Sequence, residues 1–253
     1  MKIELFSIGP LTIHGYGFMI ALGILCCVMM ATYRAKKYQM NSDAILDIAI
    51  WGVIAGFVGA KLMYVIVEFP RFLENPMAVL GSEGFVVYGG ITVGVLTAIG
   101  YCKIKKLAFL EYFDLCAPSI SLAQGFGRIG CFLAGCCYGR ETDSIFGVVF
   151  PESGLAPSGV KLLPTQLFSS AGDFLITIVL LLYYKKKKHS GDVGAMYMLL
   201  YGVGRFLIEI LRNDNRGAVG ALSTSQFISI FIVIGALILF QWNKRREAKA
   251  KNV

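Results

Sequence analysis

The sequence predicts an all-α polytopic membrane protein with about seven transmembrane helices, and three observations lead to that prediction. Apolar residues make up 56% of the 253 residues and charged residues only 16%, a balance unlike that of soluble domains. The mean hydropathy is +0.67. Apolar runs long enough to cross a hydrocarbon core of about 30 Å recur along the whole chain. The first run lacks the basic start and small-residue cleavage site of a signal peptide, so we expect no cleavage.

The predicted spans follow one another in order, each with roughly 20 mostly apolar residues. They cover approximately residues 13–33, 44–68, 84–102, 112–135, 162–184, 193–211 and 222–242. The fourth also contains polar or helix-breaking residues, namely Asp114, Pro118, Gln124 and Arg128. We therefore expect the fourth span to face protein or a polar cavity rather than lipid.

Basic residues follow every second span and predict the orientation of the chain. The segments after spans one, three, five and seven hold 3, 3, 4 and 5 basic residues, 15 of the 24 in the chain. Because Lys and Arg collect on the cytoplasmic side, we expect the N-terminus outside and the C-terminus in the cytoplasm. The net charge of +8 thus lies next to spans, where it suits anionic headgroups, and we expect no nucleic-acid partner.

We interpret residues 1–253 as a single membrane domain, because no charge-rich linker separates two hydrophobic halves. The longest segment between spans covers about residues 139–161. Its content of Gly, Pro and Ser predicts an ordered external loop with turns.

Charged residues inside spans are costly unless they are paired or lie in a wet cavity, so each is a functional candidate. They are Lys61, Asp114, Arg128, Asp173, Arg205 and Glu209. Arg205 and Glu209 stand four apart on one helix face, which Arg212 extends outwards. The pair is either an ion pair that orients the helix or a site where the guanidinium is shared with a phosphate.

Arg128 lies among the glycines of QGFGRIG, which permit close approach of other backbone or of a ligand. It is either a headgroup-facing, snorkelling arginine or part of a binding site. Together with Arg205 and Arg212, and with Lys61 deeper in the same cavity, it favours an anionic lipid headgroup as the ligand. Tyr16 and Tyr88 begin spans one and three, either as aromatic-belt residues or as donors to a phosphate or ester oxygen.

The combined motifs resemble the prolipoprotein diacylglyceryl transferase family over most of the chain. In the family's order they are YG at 16–17, GAKLMYV at 59–65, GG at 89–90, GRIGCFLAGCCYGR at 127–140, PTQL at 164–167 and RFLIE at 205–209. The resemblance implies a seven-span protein of the bacterial inner membrane, with its active site toward the outer leaflet and no cofactor. It also implies transfer of the diacylglyceryl group of phosphatidylglycerol to the lipobox cysteine of a preprolipoprotein, with release of glycerol 1-phosphate.

Several site residues are carried over from the resemblance by position. The matching motif residues are Tyr16, Arg128, Gly139, Arg205 and Glu209. Lys61 stands where the family usually has arginine, which keeps the charge and loses the bidentate fork. We assign substrate binding to Lys61, Gly89, Gly90, Gly139, Arg140 and Arg212.

Three positions depart from the family pattern. Tyr88, Cys131 and Cys136 stand where members usually carry histidine, asparagine and glutamate. A thiol near Arg128 or Arg140 has its thiolate favoured, and the thiolate is a nucleophile, so Cys131 and Cys136 are catalytic candidates. Tyr88 is another, because it stands where the family's histidine could act as a base. The remaining catalytic candidates are the motif residues Tyr16, Arg128, Arg205 and Glu209. Alternatively the cysteines are packing residues, or Cys131 forms a disulfide with Cys136 or Cys137. We expect no metal site, because the spacing lacks the Cys-x2-Cys pairs of structural zinc.

Three functions remain open on the sequence. The first is the phospholipid-dependent transferase that acts on a prolipoprotein thiol, with phosphatidylglycerol or another anionic phospholipid as donor. The second is a cysteine-dependent transferase of the same fold with another acceptor, such as a glycan or a small thiol. The third is a non-enzymatic lipid-binding or transport protein, whose intramembrane charges line a path.

Overall fold

The computed structural model describes residues 4–8, 11–82, 84–151, 155–214 and 217–251. Within these ranges the helices are α1 (Gly15–Lys37), α2 (Ser42–Val67), α3 (Phe69–Glu74), α4 (Pro76–Leu80), α5 (Val87–Ile104), α6 (Phe109–Ala134), α7 (Thr165–Tyr184), α8 (Asp192–Leu211) and α9 (Thr224–Lys251). Three short antiparallel pairs are formed by β1 (Glu4–Ile8) with β2 (Leu11–His14), β3 (Val148–Val149) with β4 (Lys161–Leu162), and β5 (Ala218–Val219) with β6 (Leu222–Ser223). The prediction of an all-α polytopic membrane protein is confirmed.

Six helices in the described ranges are long and apolar enough to cross a membrane: α1, α2, α5, α7, α8 and α9. Large hydrophobic side chains of α2 are exposed, among them Trp51, Phe57 and Leu62. A surface of this kind suits lipid. The fourth predicted span corresponds to α6, which has 26 residues but also carries Glu111, Asp114 and Arg128. Because of these charged residues, α6 is not among the six helices that are apolar enough to cross a membrane.

The chain divides into two compact units. Unit 2 comprises Thr32–Tyr112, and unit 1 comprises the residues up to Ala31 and from Phe113 onwards. The interpretation of the chain as a single membrane domain stays a prediction.

Unit 2 is held together by close packing of α2 against α5 at glycines. A Cβ added at Gly89 would lie 2.5 Å from the carbonyl oxygen of Gly59, and one added at Gly90 would lie 2.9 Å from that of Gly56. Small residues at such a crossing let the two backbones approach, which is a common basis of helix association in membranes. The glycine pair 89–90 therefore has a packing role, independent of any role in substrate binding.

Gly89→Ala is expected to destabilise the protein by about 1–3 kcal/mol, because the new methyl group overpacks the contact between α2 and α5. Gly100→Ala on the same helix is the matched control, since a Cβ there meets nothing within 4 Å. It is expected to gain roughly 0.5–1 kcal/mol from helix propensity. Thermal unfolding of both variants in detergent measures the difference, and equal midpoints would contradict the packing.

Unit 1 satisfies a fully buried charge at the start of α8. The carboxylate of Asp114 accepts hydrogen bonds from the backbone N–H groups of Gly191 and Gly194 at 2.8 Å and from Nζ of Lys187 at 2.9 Å. Asp114 thus caps α8 from a distant helix and pairs with a lysine, as a buried carboxylate requires. Its place in a mostly apolar helix is explained by this contact.

Glycines on both sides of Arg128 let α6 pack closely against neighbouring helices. A Cβ at Gly130 would lie 3.2 Å from the backbone oxygen of Tyr16 in α1. A Cβ at Gly125 would lie 2.5 Å from the Phe174 ring of α7. The position of the arginine between these helices is therefore set by close packing at the two glycines.

The segment after α6 folds over a small apolar core of its own. Phe150, Ala156 and Leu162 are buried together, and Phe132 of α6 packs edge-on against Phe150 with ring centroids 5.8 Å apart. Val148 of β3 pairs with Leu162 of β4. Residues 152–154 of the predicted external loop lie outside the described residues.

Candidate functional site

A cavity of about 220 Å³ in unit 1 is lined by α6, α7 and α8. The polar residues of its wall are Arg128, Ser169, Asp173, Tyr201 and Arg205. The rest of the wall is glycine and apolar side chains, among them Ile176 and Leu207. Two arginines that the sequence singled out in separate motifs therefore share one mostly apolar cavity.

Glu209 links the two arginines of the RFLIE motif region. Its Oε2 lies 3.2 Å from Nη2 of Arg205 and 3.4 Å from Nη1 of Arg212, while Ser223 donates a hydrogen bond to its Oε1 at 2.9 Å. The Glu209 side chain is only 1% exposed, so these contacts are shielded from water. The pairing expected from the spacing of four residues is present, and one carboxylate positions both guanidinium groups.

Each of these arginines has a further partner outside α8. Arg205 donates from Nη2 to Oγ of Ser225 at 2.9 Å. Arg212 donates from Nε and Nη2 to both carboxylate oxygens of Asp214, at 3.0 and 2.7 Å. Burial opposes the charge of the Arg212 guanidinium, but the bonds to Asp214 raise its pKa above the ordinary value.

Arg128 differs from the other two arginines. Within the part of the chain that the structure describes, it forms no hydrogen bond and no ion pair, although it is half-buried in the cavity wall beside Asp173 and Tyr201. A partly buried guanidinium needs hydrogen-bond acceptors. Arg128 therefore has its donor fork available for an anionic ligand.

Three thiols form a cluster where α6 ends. The Sγ atoms of Cys131, Cys136 and Cys137 all lie within 4.8 Å of one another, and the side chains are half-buried. All seven cysteines are free thiols, so the disulfide considered for Cys131 is not present in this structure. Tyr16, at the start of α1, lies within electrostatic range of all three thiols and of Arg128.

The backbone turns sharply to bring the third thiol back toward α6. Gly135 has φ +70° and Cys137 has φ +63°, a left-handed conformation that is unusual for a residue with a side chain. Two side chains from the start of α7 hold this turn: Thr165 donates to the carbonyl of Cys137 at 2.7 Å, and Gln166 donates to that of Cys136 at 2.6 Å. The PTQL motif thus supports the cysteine turn.

The thiols of the turn differ in acidity. Hydrogen bonds from Cys131 and Cys136, together with the positive charges of Arg212 and Arg128, lower the pKa of the Cys137 thiol, against the opposing effect of burial. Hydrogen bonding to Cys131 and Cys137 raises the pKa of the Cys136 thiol. Cys137 is therefore the more acidic thiol of this pair, whereas the sequence had favoured Cys131 and Cys136.

Gly139 and Arg140 connect the motif to the end of α8. The N–H of Gly139 donates to the carbonyl of Leu163 at 2.9 Å, and the N–H of Arg140 donates to that of Leu211 at 3.0 Å. A Cβ at Gly139 would lie 2.8 Å from Cβ of Leu163, so only glycine fits here. The Arg140 side chain is exposed and is not among the residues of the cavity wall.

Lys61 and Tyr88 lie in unit 2. Nζ of Lys61 donates to the carbonyls of Ser82 and Gly84 at 2.6 and 3.3 Å, so it holds the segment before α5. Tyr88, near the start of α5, is exposed. That Lys61 shares a cavity with the arginines, and that Tyr88 is catalytic, stay predictions.

Three residues near the site were given no catalytic or binding role from the sequence. Asp173 and Tyr201 line the cavity, and Gln166 supports the cysteine turn. Asp173 had a signal, because it is a carboxylate inside an apolar span. Tyr201 had none, since tyrosine is common in membrane helices and only its neighbours place it in the cavity wall.

Comparison with known proteins gives one family. The sequence profile of the family described as prolipoprotein diacylglyceryl transferase matches residues 3–242. A protein named phosphatidylglycerol–prolipoprotein diacylglyceryl transferase 2, from Clostridium perfringens (strain 13 / Type A), is 48% identical over 252 residues, covering 98% of each chain.

Other relatives carry the same name. The phosphatidylglycerol–prolipoprotein diacylglyceryl transferase of Clostridium tetani is 49% identical over 249 residues, which is 98% of this chain and 100% of that one. The one of Staphylococcus haemolyticus is 33% identical over 248 residues, which is 94% of this chain and 87% of that one.

Proposed function

The chain belongs to the prolipoprotein diacylglyceryl transferase family, and from this premise we propose that it transfers the diacylglyceryl group of phosphatidylglycerol to a cysteine thiol of a prolipoprotein. It is a transferase and a multi-pass membrane protein. Family membership favours the first of the three functions above over the other acceptors and over a non-enzymatic role. At the level of residues, the observation that carries the proposal is the guanidinium of Arg128, which has no hydrogen bond or ion pair with another described residue and shares a cavity with Arg205.

The arginine cluster suits a phosphodiester. Arg128 presents its donor fork to one phosphate oxygen pair, and Arg205, held by Glu209, supplies a second charge in the same cavity. Arg212, on the other side of Glu209, adds a third positive charge. Because the wall is mostly apolar, these charges act in a low dielectric, where they are stronger than in water.

The chemistry is a displacement at carbon. The thiolate of the acceptor attacks the terminal glyceryl carbon of the diacylglyceryl group, an S–C bond forms, and the C–O bond to the phosphate breaks. The electron pair of that bond leaves on the phosphate oxygen, so glycerol phosphate departs with added negative charge. Arg128 and Arg205 stabilise this charge as it develops, which is the main electrostatic contribution of the site.

We place the protein in the bacterial cytoplasmic membrane, with the N-terminus outside and the active site toward the outer leaflet. The distribution of 15 basic residues in alternate segments supports this orientation. A lipobox-containing preprolipoprotein then meets the enzyme on the outer side, and phosphatidylglycerol enters laterally from the same leaflet.

Complementation tests the proposal. The full chain is expressed in cells depleted of their own diacylglyceryl transferase, and the mass of a reporter lipoprotein is measured. We expect the diacylglyceryl mass on the reporter's lipobox cysteine, and none when that cysteine is replaced by serine. Stable membrane insertion without any modified reporter would reject the proposed acceptor.

A further inference from the structure

The geometry of the thiol cluster points to a binding site for one soft divalent metal ion, such as Zn²⁺. The thiolates of Cys131, Cys136 and Cys137 hold the ion, and one coordination position is left for the acceptor thiol. The metal site stands on the cluster itself. The identity of the fourth ligand rests on the proposed function.

The distances between the sulfur atoms fit one ion. A Zn–S bond of about 2.3 Å places the sulfurs of a tetrahedral or trigonal site about 3.8–4.0 Å apart. The three Sγ atoms lie within 4.8 Å of one another, so closing them around an ion needs movements below about 1 Å. Rotation about the side-chain torsions is sufficient for such movements.

The spacing along the chain argues against a closed structural zinc site but not against this one. Closed sites use four ligands, usually as two Cys-x2-Cys pairs, whereas three protein ligands and one open position are typical of catalytic zinc. Cys131 comes from the last turn of α6, and the left-handed turn at Cys137 brings the vicinal thiols back toward it. The three thiols therefore lie close together because of this turn, although their spacing in the sequence does not predict it.

The turn is also held rigidly. The N–H of Cys136 donates to the carbonyl of Cys131 at 3.1 Å, while Thr165 and Gln166 bind the carbonyls of Cys137 and Cys136. A strained left-handed residue that is fixed by outside contacts is a common feature of functional sites. Three ligands are thus arranged before an ion arrives.

The charge of the surroundings suits a metal with three thiolates. Three thiolates and one divalent cation carry a net charge of −1, and Arg212 and Arg128 both act electrostatically on Cys137. The amide oxygen of Gln166, whose nitrogen contacts Cys136, is buried without a hydrogen-bond partner among the described residues. A water bound to the metal before the acceptor arrives supplies the missing donor.

The role of the ion follows from the chemistry of the transfer. A thiol that binds a divalent metal loses its proton and becomes the nucleophilic thiolate. That thiolate forms the S–C bond, the C–O bond to phosphate breaks, and the thiol proton leaves to solvent. Thiolate ligands also select soft ions over Mg²⁺ and Ca²⁺.

The test uses the full chain purified in detergent under reducing conditions, with Cd²⁺ and Zn²⁺ as probes. We expect one Cd²⁺ per chain, a thiolate-to-metal charge-transfer absorption that Zn²⁺ competes away, and protection of the three cluster thiols from alkylation. Cys137→Ser is expected to lower the metal affinity at least 10-fold. Cys26→Ser, a half-buried cysteine in α1, is the matched control and is expected to bind like the wild type. If a serine variant fails to fold, alkylation of the wild type with and without metal still tests whether the three thiols bind it.

Activity separates the two parts of the inference. Removing the ion with a chelator is expected to lower transfer from phosphatidylglycerol vesicles to a lipobox peptide at least 10-fold, and Zn²⁺ is expected to restore it. Transfer at the full rate with no metal bound would overturn the metal site and leave the proposed function standing. A lipid-derived mass adduct on Cys136 would also overturn it, in favour of a covalent carrier. Metal bound by the three thiols in a chain that transfers nothing would reject the proposed function and the fourth ligand alone.

Discussion

Arg128→Ala is expected to lower diacylglyceryl transfer by about 10²–10³-fold, the range seen when one electrostatic stabiliser of a developing anion is removed. Arg128 is the arginine of the cavity that has no hydrogen bond or ion pair with any other described residue. Its removal takes a donor fork from the phosphate without breaking a hydrogen bond or an ion pair to another described residue. Labelled phosphatidylglycerol in vesicles and a lipobox peptide measure the rate.

Two further variants define the cause of the loss. Arg128→Lys keeps the charge and loses the bidentate fork, so we expect an intermediate rate. Arg71→Ala, at an exposed arginine of α3, is the matched control and is expected to keep the wild-type rate. Full turnover by Arg128→Ala, with the same thermal midpoint as the wild type, would remove Arg128 from the site.

Glu209→Gln is expected to destabilise the protein by about 3–5 kcal/mol, because it leaves two buried cations without the carboxylate they share. Glutamine is nearly isosteric with glutamate and retains a hydrogen bond with Ser223. The loss of stability therefore measures the effect of the missing charge and not of a change in volume. Thermal unfolding in detergent measures the change. We also expect transfer to fall, since Arg205 and Arg212 lose the group that positions them.

The ion network provides its own internal test. In Glu209→Gln, Arg212 keeps its ion pair with Asp214, whereas Arg205 loses its carboxylate. Adding Arg205→Met removes that unpaired charge, and we expect part of the lost stability to return. Glu74→Gln, at an exposed glutamate in α3, is the control for a glutamate with no buried partner, and its midpoint is expected to stay unchanged. A Glu209→Gln variant as stable as that control would show that the network contributes little.

Some of the site was predictable because it depends on contacts between near neighbours in the chain. Arg205 and Glu209 are four residues apart in one helix, and that spacing alone places both side chains on one face. The apolar runs predicted the membrane helices, because backbone N–H and C=O groups in lipid must be hydrogen-bonded internally and a helix satisfies them all.

Contacts between distant segments were decided only by the tertiary structure. The sequence determined which residues are charged and which helix carries each, but the rotation of one helix against another depends on side-chain packing along their whole contact. Arg128, Asp173 and Tyr201 therefore meet in one cavity through packing that no local period encodes. Cys137 lies near the other two thiols because its backbone adopts a left-handed conformation. Hydrogen bonds from the side chains of Thr165 and Gln166 hold that turn, and the residues next to Cys137 in the sequence do not predict it.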